Sequence, residues 1–313
     1  MLPVALVRQY AVSQHIDLAV ADQEIVLHYV LALLNAEGLI GLGPELAEPG
    51  PLLFKGGTAL RKCVFGSTGR FSQDIDVDAT HKNGFEADIE AAFAAHDPYH
   101  GIGFSVPQFR YSQDENFSGT VHYEHDHGDG TFELQISYRL EPILEPRPLA
   151  LVPQGYFARV ECGVPDLFGL DPYEMIGEKL MACNRRLGGS AKDVYDLHLW
   201  SQRPFDTDLV RRLAVLKAWT DQRRQPRFDP EPFLVNIQAA NFRWEDIPNL
   251  VPRGAPTDRE TLCRGVRERF AFFTSLDPDE ATLLEDQTAH REVTLFNRLR
   301  DEARAQTVTV PPA

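Results

Sequence analysis

The chain has few cysteines, no long hydrophobic run and no excess of positive charge, and each shortage excludes a class of protein. Its four cysteines, Cys63, Cys162, Cys183 and Cys263, lie far apart without a Cys-x-x-Cys pair, so neither a zinc site nor a disulfide framework is predicted. No apolar run approaches the ~18 residues of a membrane span, and the first residues lack the features of a signal peptide. We therefore expect a soluble, cytoplasmic protein with reduced thiols and no membrane partner.

The overall charge is negative, but one segment is basic. The formal net charge of −15 argues against a general nucleic-acid coat protein. Residues 179–227, in contrast, contain eleven Lys or Arg against five Asp. Two interpretations stay open, namely solvated helical faces or a basic wall that contacts RNA phosphates. The candidate RNA contacts are Arg185, Arg186, Arg211, Arg212, Arg223 and Arg224.

A glycine-rich turn comes after an apolar run near residue 55. The run at 52–54 leads into Gly56, Gly57 and Thr58, which predicts a strand that passes directly into a helix. The free backbone N–H groups at such a helix start can hold a phosphate. A turn with only a structural purpose is the alternative, so the motif gains weight only in combination with a second functional motif.

Two carboxylates come next in the chain on a predicted strand. Asp74 and Asp76 alternate with Ile75 and Val77, so both carboxylates project from the same face. Neighbouring carboxylates repel each other unless a cation lies between them, and Mg²⁺ takes this kind of oxygen ligand. A solvated strand face is the alternative, but Asp78 extends the acidic face without any gain in packing. Together with the glycine turn, the pattern indicates phosphoryl or nucleotidyl transfer.

The pattern of elements predicts an α+β protein with two lobes. Strands are predicted at 51–55, 74–79, 104–111, 118–125, 132–138 and 157–162, and helices at 21–36, 58–65 and 85–96. A hairpin turn is predicted at 127–130. Prolines at 141–154 suggest a boundary, so we predict a mixed-sheet lobe at 1–150 and a mainly helical lobe at 151–313. In the second lobe, Asp171 and Asp277 are predicted to begin helices as N-caps followed by Pro.

Four motifs, in order, resemble those of the AbiEii nucleotidyltransferase toxins, the toxin halves of type IV toxin–antitoxin systems, which include the mycobacterial MenT proteins. They are Lys-Gly-Gly-Thr-Ala-Leu at 55–60, Arg-Phe-Ser-Gln-Asp-Ile-Asp at 70–76, Glu-Lys-Leu at 178–180 and Lys-Asp-Val-Tyr-Asp-Leu at 192–197. The resemblance implies that the first lobe has the DNA polymerase β-type nucleotidyltransferase fold.

The resemblance also implies the chemistry and its residues. It implies Mg²⁺-dependent transfer of a nucleotide from a nucleoside triphosphate, with CTP favoured, to an acceptor such as a tRNA 3′ end. A cognate antitoxin protein would be the partner. Asp74 and Asp76 would bind the metal, and Lys179 would neutralise triphosphate charge. Asp193 would position or activate the acceptor, with Asp196 as a local hydrogen-bond partner. The triphosphate would be held by Gly56, Gly57, Thr58 and Ser72 together with Lys179.

One position departs from the relatives and leaves alternatives open. Gln135 stands where relatives often carry a third carboxylate, and Glu133, which shares its face, could substitute. The acceptor could instead be a protein hydroxyl, or the chain could be a nucleotide-binding protein with little turnover that acts through its partner. A cluster of acidic and histidine residues is interpreted as a solvated hairpin tip, not as a metal site. It comprises His122, Glu124, His125, Asp126, His127 and Asp129.

Overall fold

The chain divides into two compact units, each built from segments that are separate in sequence. The structure is a computed structural model that describes residues 2–42, 49–80, 85–105, 108–112, 116–138, 141–185, 187–221 and 227–306. Unit 1 comprises Met1–Glu141, Pro146–Gly169 and Asn249–Gly254. Unit 2 comprises Pro142–Glu145, Leu170–Pro248 and Ala255–Ala313. The predicted domain boundary at residue 150 stays a prediction.

Among its described residues, unit 1 combines four α-helices with one mixed β-sheet, and the predicted α+β class is confirmed. The helices are α1 Val4–Gln14, α2 Leu18–Ala36, α3 Gly56–Leu60 and α4 Phe85–Ala95. The strands are β1 Leu52–Lys55, β2 Asp74–Ala79, β3 Gly103–Phe104, β4 Gln108–Ser112, β5 Asn116–His125, β6 Gly128–Ser137, β7 Arg147–Leu149 and β8 Leu167–Gly169. A π-helical turn, Arg61–Phe65, directly continues α3.

The order of the strands places β2 near the middle of the sheet. The order is β3-β5-β6-β2-β1-β8-β7, and β4 also pairs with β5. β2 runs antiparallel to β1 and parallel to β6. One face of these strands is fully buried through Ile75 and Val77 of β2 and Leu134 and Ile136 of β6. A slip of one residue would bury the carboxylates instead, so this apolar face fixes the register.

Helix α2 supplies a large part of the core of unit 1. It is the one described helix that is long and apolar enough to cross a membrane, but 72% of its most apolar 18-residue window is buried inside the protein. Asp22, Glu24 and His28 interrupt its apolar sequence. These features fit a helix that packs in the core of unit 1.

A buried ion pair joins α2 to the π-helical turn. Lys62 Nζ lies 2.9 Å from Glu24 Oε1 and 3.1 Å from the hydroxyl oxygen of Tyr156. Burial lowers the pKa of Lys62, and the Glu24 carboxylate opposes this shift. Because removing one member of such a pair leaves an uncompensated buried charge, the pair fixes the helical segment that follows the glycine turn.

Unit 2 is helical. Its helices are α5 Pro172–Arg185, α6 Lys192–Ser201, α7 Thr207–Thr220, α8 Pro230–Asn236, α10 Arg259–Arg269, α11 Pro278–Asp286 and α12 Val293–Ala305, while the short α9 Ile247–Leu250 ends in a segment of unit 1. The two predicted N-caps are confirmed. Asp171 Oδ1 accepts a hydrogen bond from the backbone N–H of Tyr173, and Asp277 forms both hydrogen bonds of a capping box with Glu280.

Two local predictions are wrong. Residues 157–162 do not form a strand, because Phe157–Arg159 is a 3-10 turn. The hairpin turn lies at 126–127, and Gly128 already begins β6. Gly130 belongs to that strand because the Tyr123 ring packs over it, where a Cβ atom would lie 2.5 Å from the hydroxyl oxygen of Tyr123.

The sequence predicts a solvated hairpin tip, but in the structure the tip is only partly solvated. The side chain of His125 is only 2% exposed, and its Nε2 lies 3.0 Å from Asp22 Oδ1. Within the described ranges, no group of three His, Cys, Asp or Glu residues is placed to hold a metal ion. His125 therefore ties the hairpin to α2.

Candidate functional site

The two carboxylates of β2 lie on the face of the sheet opposite to the core. Asp74 and Asp76 are half-buried, whereas Ile75 and Val77 are fully buried. Asp78, the third acidic residue on this face, is itself buried, and its Oδ1 lies 2.6 Å from Lys55 Nζ. Asp78 is thus part of a structural ion pair, while Asp74 and Asp76 keep partial access to solvent.

The glycine turn lies directly against this carboxylate pair. Gly56 has φ +79°, and a Cβ atom there would lie 2.2 Å from Asp76 Oδ2. A side chain at this position would therefore be excluded both by the backbone conformation and by the carboxylate. The hydroxyl of Thr58 donates to the backbone carbonyl oxygen of Asp74, which fixes α3 to β2. The structure thus brings Gly56 and Thr58 into contact with the predicted metal ligands.

The second glycine faces a cation and a hydroxyl. A Cβ atom at Gly57 would lie 2.5 Å from Arg70 Nη2 and 3.3 Å from Ser72 Oγ. Arg70 is only 4% exposed and Ser72 only 7%. Arg70 occupies the first position of the Arg-x-Ser-x-Asp-x-Asp motif, but no role for it is predicted from the sequence. Arg70 is a further candidate for phosphate binding, because a guanidinium can donate two parallel hydrogen bonds to a phosphate.

A second buried arginine anchors the loop that leads to this site. Arg61 Nη1 donates to the carbonyl oxygens of Gly66 and Gly69, and the guanidinium lies 4.1 Å from the centre of the Phe71 ring. The backbone N–H of Phe71 donates to the carbonyl oxygen of Leu250 at 2.6 Å. The segment before Ser72 is thereby held at several points, a tertiary arrangement that the sequence did not reveal.

Strand β6, the other neighbour of β2, carries the position at which this sequence departs from the family motif. In the parallel β2–β6 pair, Asp74 is opposite Glu133 and Asp76 is opposite Gln135. All four side chains therefore project from one face of the sheet. Glu133 is half-buried, and Thr120 Oγ1 of β5 donates to its Oε1 at 2.5 Å. Glu133, and not Gln135, provides a carboxylate beside the pair.

The second group of predicted site residues lies in unit 2. Lys179 of α5 places its Nζ 2.7 Å from Asp193 Oδ1 and 3.0 Å from Asp196 Oδ2, both on α6. The side-chain exposure falls from 13% for Lys179 to 8% for Asp193 and 2% for Asp196. The sequence spacing had placed the two aspartates on one helix face, and Lys179 bridges them. The deeper burial of Asp196 suits a supporting contact.

Several cations of the basic segment form ion pairs inside unit 2. Arg211 is buried and lies 2.6 Å from Glu280 and 2.7 Å from Asp208. Arg212 Nη1 lies 3.2 Å from Glu302 Oε2. These ion pairs match neither the solvated-face interpretation nor an open basic wall. They argue against Arg211 and Arg212 as RNA contacts, and both contacts stay predictions. Outside the described residues lie Arg186, Arg223, Arg224 and the side chain of Arg185.

Comparisons with known proteins point to one family. The family model for the nucleotidyl transferase AbiEii toxin of type IV toxin–antitoxin systems matches residues 44–281. Among solved structures, MenT4, a nucleotidyltransferase toxin from Mycobacterium tuberculosis H37Rv, is similar with 26% identity and a TM-score of 0.77, covering 97% of this chain and 100% of that chain. JHP933 from Helicobacter pylori shows 17% identity and a TM-score of 0.47, covering 91% and 99%. A comparison with curated proteins gives no match.

Proposed function

Because the chain belongs to the AbiEii family of type IV toxins and is a nucleotidyltransferase, we propose that it transfers a nucleoside monophosphate from a triphosphate to a tRNA 3′ end. The observation that carries this proposal is the approach of the glycine turn to the carboxylate pair. Gly56 lies so close to Asp76 that no side chain could stand between the turn and that carboxylate. A triphosphate held by the turn would then have its phosphates beside the carboxylates.

The carboxylate pair fits Mg²⁺. Asp74 and Asp76 are half-buried oxygen donors on one face of β2. No third acidic, histidine or cysteine ligand completes a metal group in the described part of the chain. Mg²⁺ keeps several waters and binds through one or two carboxylates plus substrate phosphates, so two protein ligands suffice. When bound there, Mg²⁺ would neutralise charge on the reacting phosphates.

The remaining residues of unit 1 would bind and orient the triphosphate. The backbone N–H groups of Gly56 and Gly57 and the hydroxyl of Ser72 would donate to phosphate oxygens. The Arg70 guanidinium, buried against Gly57, would add positive charge at the same place. Thr58 would act indirectly, because its hydroxyl is already bonded to the backbone of Asp74.

The roles of the unit 2 residues are carried over from the family motifs. Lys179 would neutralise the charge that develops on the phosphates, and Asp193 would position or activate the acceptor. Their contact at 2.7 Å keeps the ammonium group in place before the substrate binds. Asp196 would hold Lys179 from the other side.

The identities of donor, acceptor and partner complete the proposal. We favour a pyrimidine triphosphate, CTP above all, as donor, and a cognate antitoxin as the protein partner in the cytoplasm. We favour Arg185 and Arg186 over Arg211 and Arg212 as contacts of the acceptor RNA, because the last two already pair with carboxylates.

One labelling experiment tests the proposal. Purified protein is incubated with Mg²⁺, total tRNA and a cell lysate, together with each of the four triphosphates labelled at the α-phosphate. The expected result is label on tRNA, strongest with CTP, and no label with the Asp76→Asn variant. Label on protein instead would replace the tRNA acceptor with a protein hydroxyl, and label on neither would overturn the proposed transfer.

A further inference from the structure

The loop that leads into α6 is joined to a short extended segment around Arg243. The backbone N–H of Arg243 donates to the carbonyl oxygen of Gly189, and the carbonyl oxygen of Arg243 accepts from the backbone N–H of Ala191, both at 2.8 Å. These two bonds form a parallel bridge in which Ser190 is the partner of Arg243. Backbone groups therefore fix the position of Arg243 relative to the start of α6.

The side chain of Arg243 projects to solvent on the side of Ser190. Its neighbours Phe242 and Trp244 are buried, with 7% and 2% exposure, whereas Arg243 is exposed. Partners in a β-bridge project from the same face, so Arg243 and Ser190 share a side. The Ser190 Oγ atom lies 3.4 Å from the backbone nitrogen of Lys192, the first residue of α6. The Arg243 side chain thus starts beside the first turn of this helix.

The charges in this turn leave no surplus cation for an RNA acceptor. Asp193 lies in the first turn of α6, and Lys179 contacts both Asp193 and Asp196. With Lys192 next to Asp193 in the chain, two positive charges stand against two negative charges. An RNA phosphate that approaches Asp193 would add a negative charge for which this group has no counterpart.

Arg243 can supply that counterpart. Within the residues that the structure describes, its side chain forms no hydrogen bond and no ion pair, although Glu245 and Asp246 follow it in the chain. Arg211 and Arg212, in contrast, already pair with carboxylates. A guanidinium can donate two parallel hydrogen bonds to one phosphate. Arg243 is therefore available to a phosphate at the start of α6.

We propose that Arg243 binds a backbone phosphate of the acceptor RNA and thereby holds the RNA 3′ end beside Asp193. This inference rests on the proposed nucleotidyl transfer to tRNA and adds a contact for that acceptor. Arg243 acts on binding of the acceptor and not on use of the triphosphate. A protein acceptor has no backbone phosphate, so the contact is specific to RNA.

Kinetics with varied total tRNA test the contact. Arg243→Gln should raise the KM for tRNA by about tenfold, as expected for the loss of hydrogen bonds between charged groups. The kcat and the KM for the triphosphate should keep their wild-type values. Arg243→Lys, which keeps the charge but not the paired donors, should restore part of the affinity. As a matched control, Arg291→Gln changes an exposed arginine between α11 and α12 and should match the wild type.

The salt dependence of tRNA binding separates a phosphate contact from a structural role. Total tRNA is bound without triphosphate at several salt concentrations, and log Kd is plotted against log salt concentration. In Arg243→Gln the slope should become shallower by about 0.7–0.9, the value of one phosphate contact, whereas Arg243→Lys should keep the wild-type slope. Should Arg243→Gln fold poorly, Arg243→Met replaces it. An unchanged slope in the neutral variant would overturn the contact, whatever its KM.

The outcomes separate this inference from the proposed function. Wild-type tRNA kinetics and slope in Arg243→Gln, beside an inactive Asp76→Asn, would overturn the role of Arg243 and leave nucleotidyl transfer intact. Label on protein in place of tRNA would overturn the RNA contact together with the tRNA acceptor. If the wild type transfers no label, the proposed function fails, and the slope of tRNA binding still decides for or against the contact of Arg243.

Discussion

The charged residues of the β2 site and one ion pair of unit 2 lie in different surroundings. In unit 1, Asp74 and Asp76 are half-buried on one sheet face beside a turn of two glycines. In unit 2, Glu174 and Lys217 are fully buried and lie 2.5 Å apart. Removing one member of the buried pair would leave an uncompensated charge in the core. The half-buried carboxylates beside the glycine turn, in contrast, remain accessible to a ligand. Burial and surroundings, more than charge itself, distinguish the two.

The largest expected effect is the loss of transfer on changing the β2 carboxylates. Asp74→Asn or Asp76→Asn should lower the transfer rate by about 10³-fold or more. Each change removes a proposed carboxylate ligand of the Mg²⁺ that would neutralise charge on the reacting phosphates. Thermal stability should stay equal or rise slightly, because repulsion between the carboxylates decreases. Label transfer and thermal unfolding measure the two effects. Full activity in either variant at unchanged stability would remove the metal assignment.

The opposite behaviour is expected for the buried pair of unit 2. Glu174 also accepts hydrogen bonds from the backbone N–H groups of Ile143 and Leu144, and Lys217 contacts Glu178 at 3.0 Å. Lys217→Met should lower the free energy of unfolding by about 3–5 kcal/mol, because it leaves buried carboxylates uncompensated. Urea unfolding measures this effect.

A double variant serves as the control for that prediction. Adding Glu174→Gln to Lys217→Met removes one buried charge, so part of the lost stability should return. Unchanged stability in Lys217→Met would mean that the comparison between the units is wrong.

Lys179 is partly exposed, like the β2 carboxylates, and forms ion pairs, like the buried residues of unit 2. Its variant therefore refines the comparison between them. It is 13% exposed and contacts two aspartates. Lys179→Ala should lower kcat/KM for the triphosphate by about 10²-fold, which is typical of the loss of one charge-stabilising donor in other enzymes. Steady-state kinetics with varied triphosphate measure this effect.

The two aspartates provide the matched pair for Lys179. Asp193→Asn should lower turnover, and Asp196→Asn should act mainly on stability because its side chain is only 2% exposed. If Asp196→Asn reduces turnover more than Asp193→Asn does, the proposed order of their roles is reversed.

Local patterns predicted the elements that carry the β2 site. The alternation of Asp74 and Asp76 with apolar residues gave the strand, and the apolar run before Gly56 gave the turn. The ion pair between Lys217 and Glu174 and the anchoring of Phe71 by Arg61 could not be predicted. They depend on contacts between residues far apart in sequence, on which periodicity carries no information.

The predictions of two short elements were wrong for a related physical reason. Phe157–Arg159 carries too few residues for alternation to distinguish a strand from a turn. The hairpin turn was misplaced because Gly128 and Gly130 are typical turn residues, yet here the Tyr123 ring covers Gly130 within the strand. Tertiary packing overrode local preference in this case.

Two labels on the same triphosphate distinguish nucleotidyl transfer at the β2 site from transfer of the terminal phosphate. The wild type is incubated with its acceptor fraction and with triphosphate labelled at either the α- or the γ-phosphate, and pyrophosphate is measured in parallel. Nucleotidyl transfer at the β2 site predicts that only the α-label reaches the acceptor, that one pyrophosphate is released for each transfer, and that Asp76→Asn abolishes both. Transfer of the γ-label, or an active Asp76→Asn variant, would contradict it.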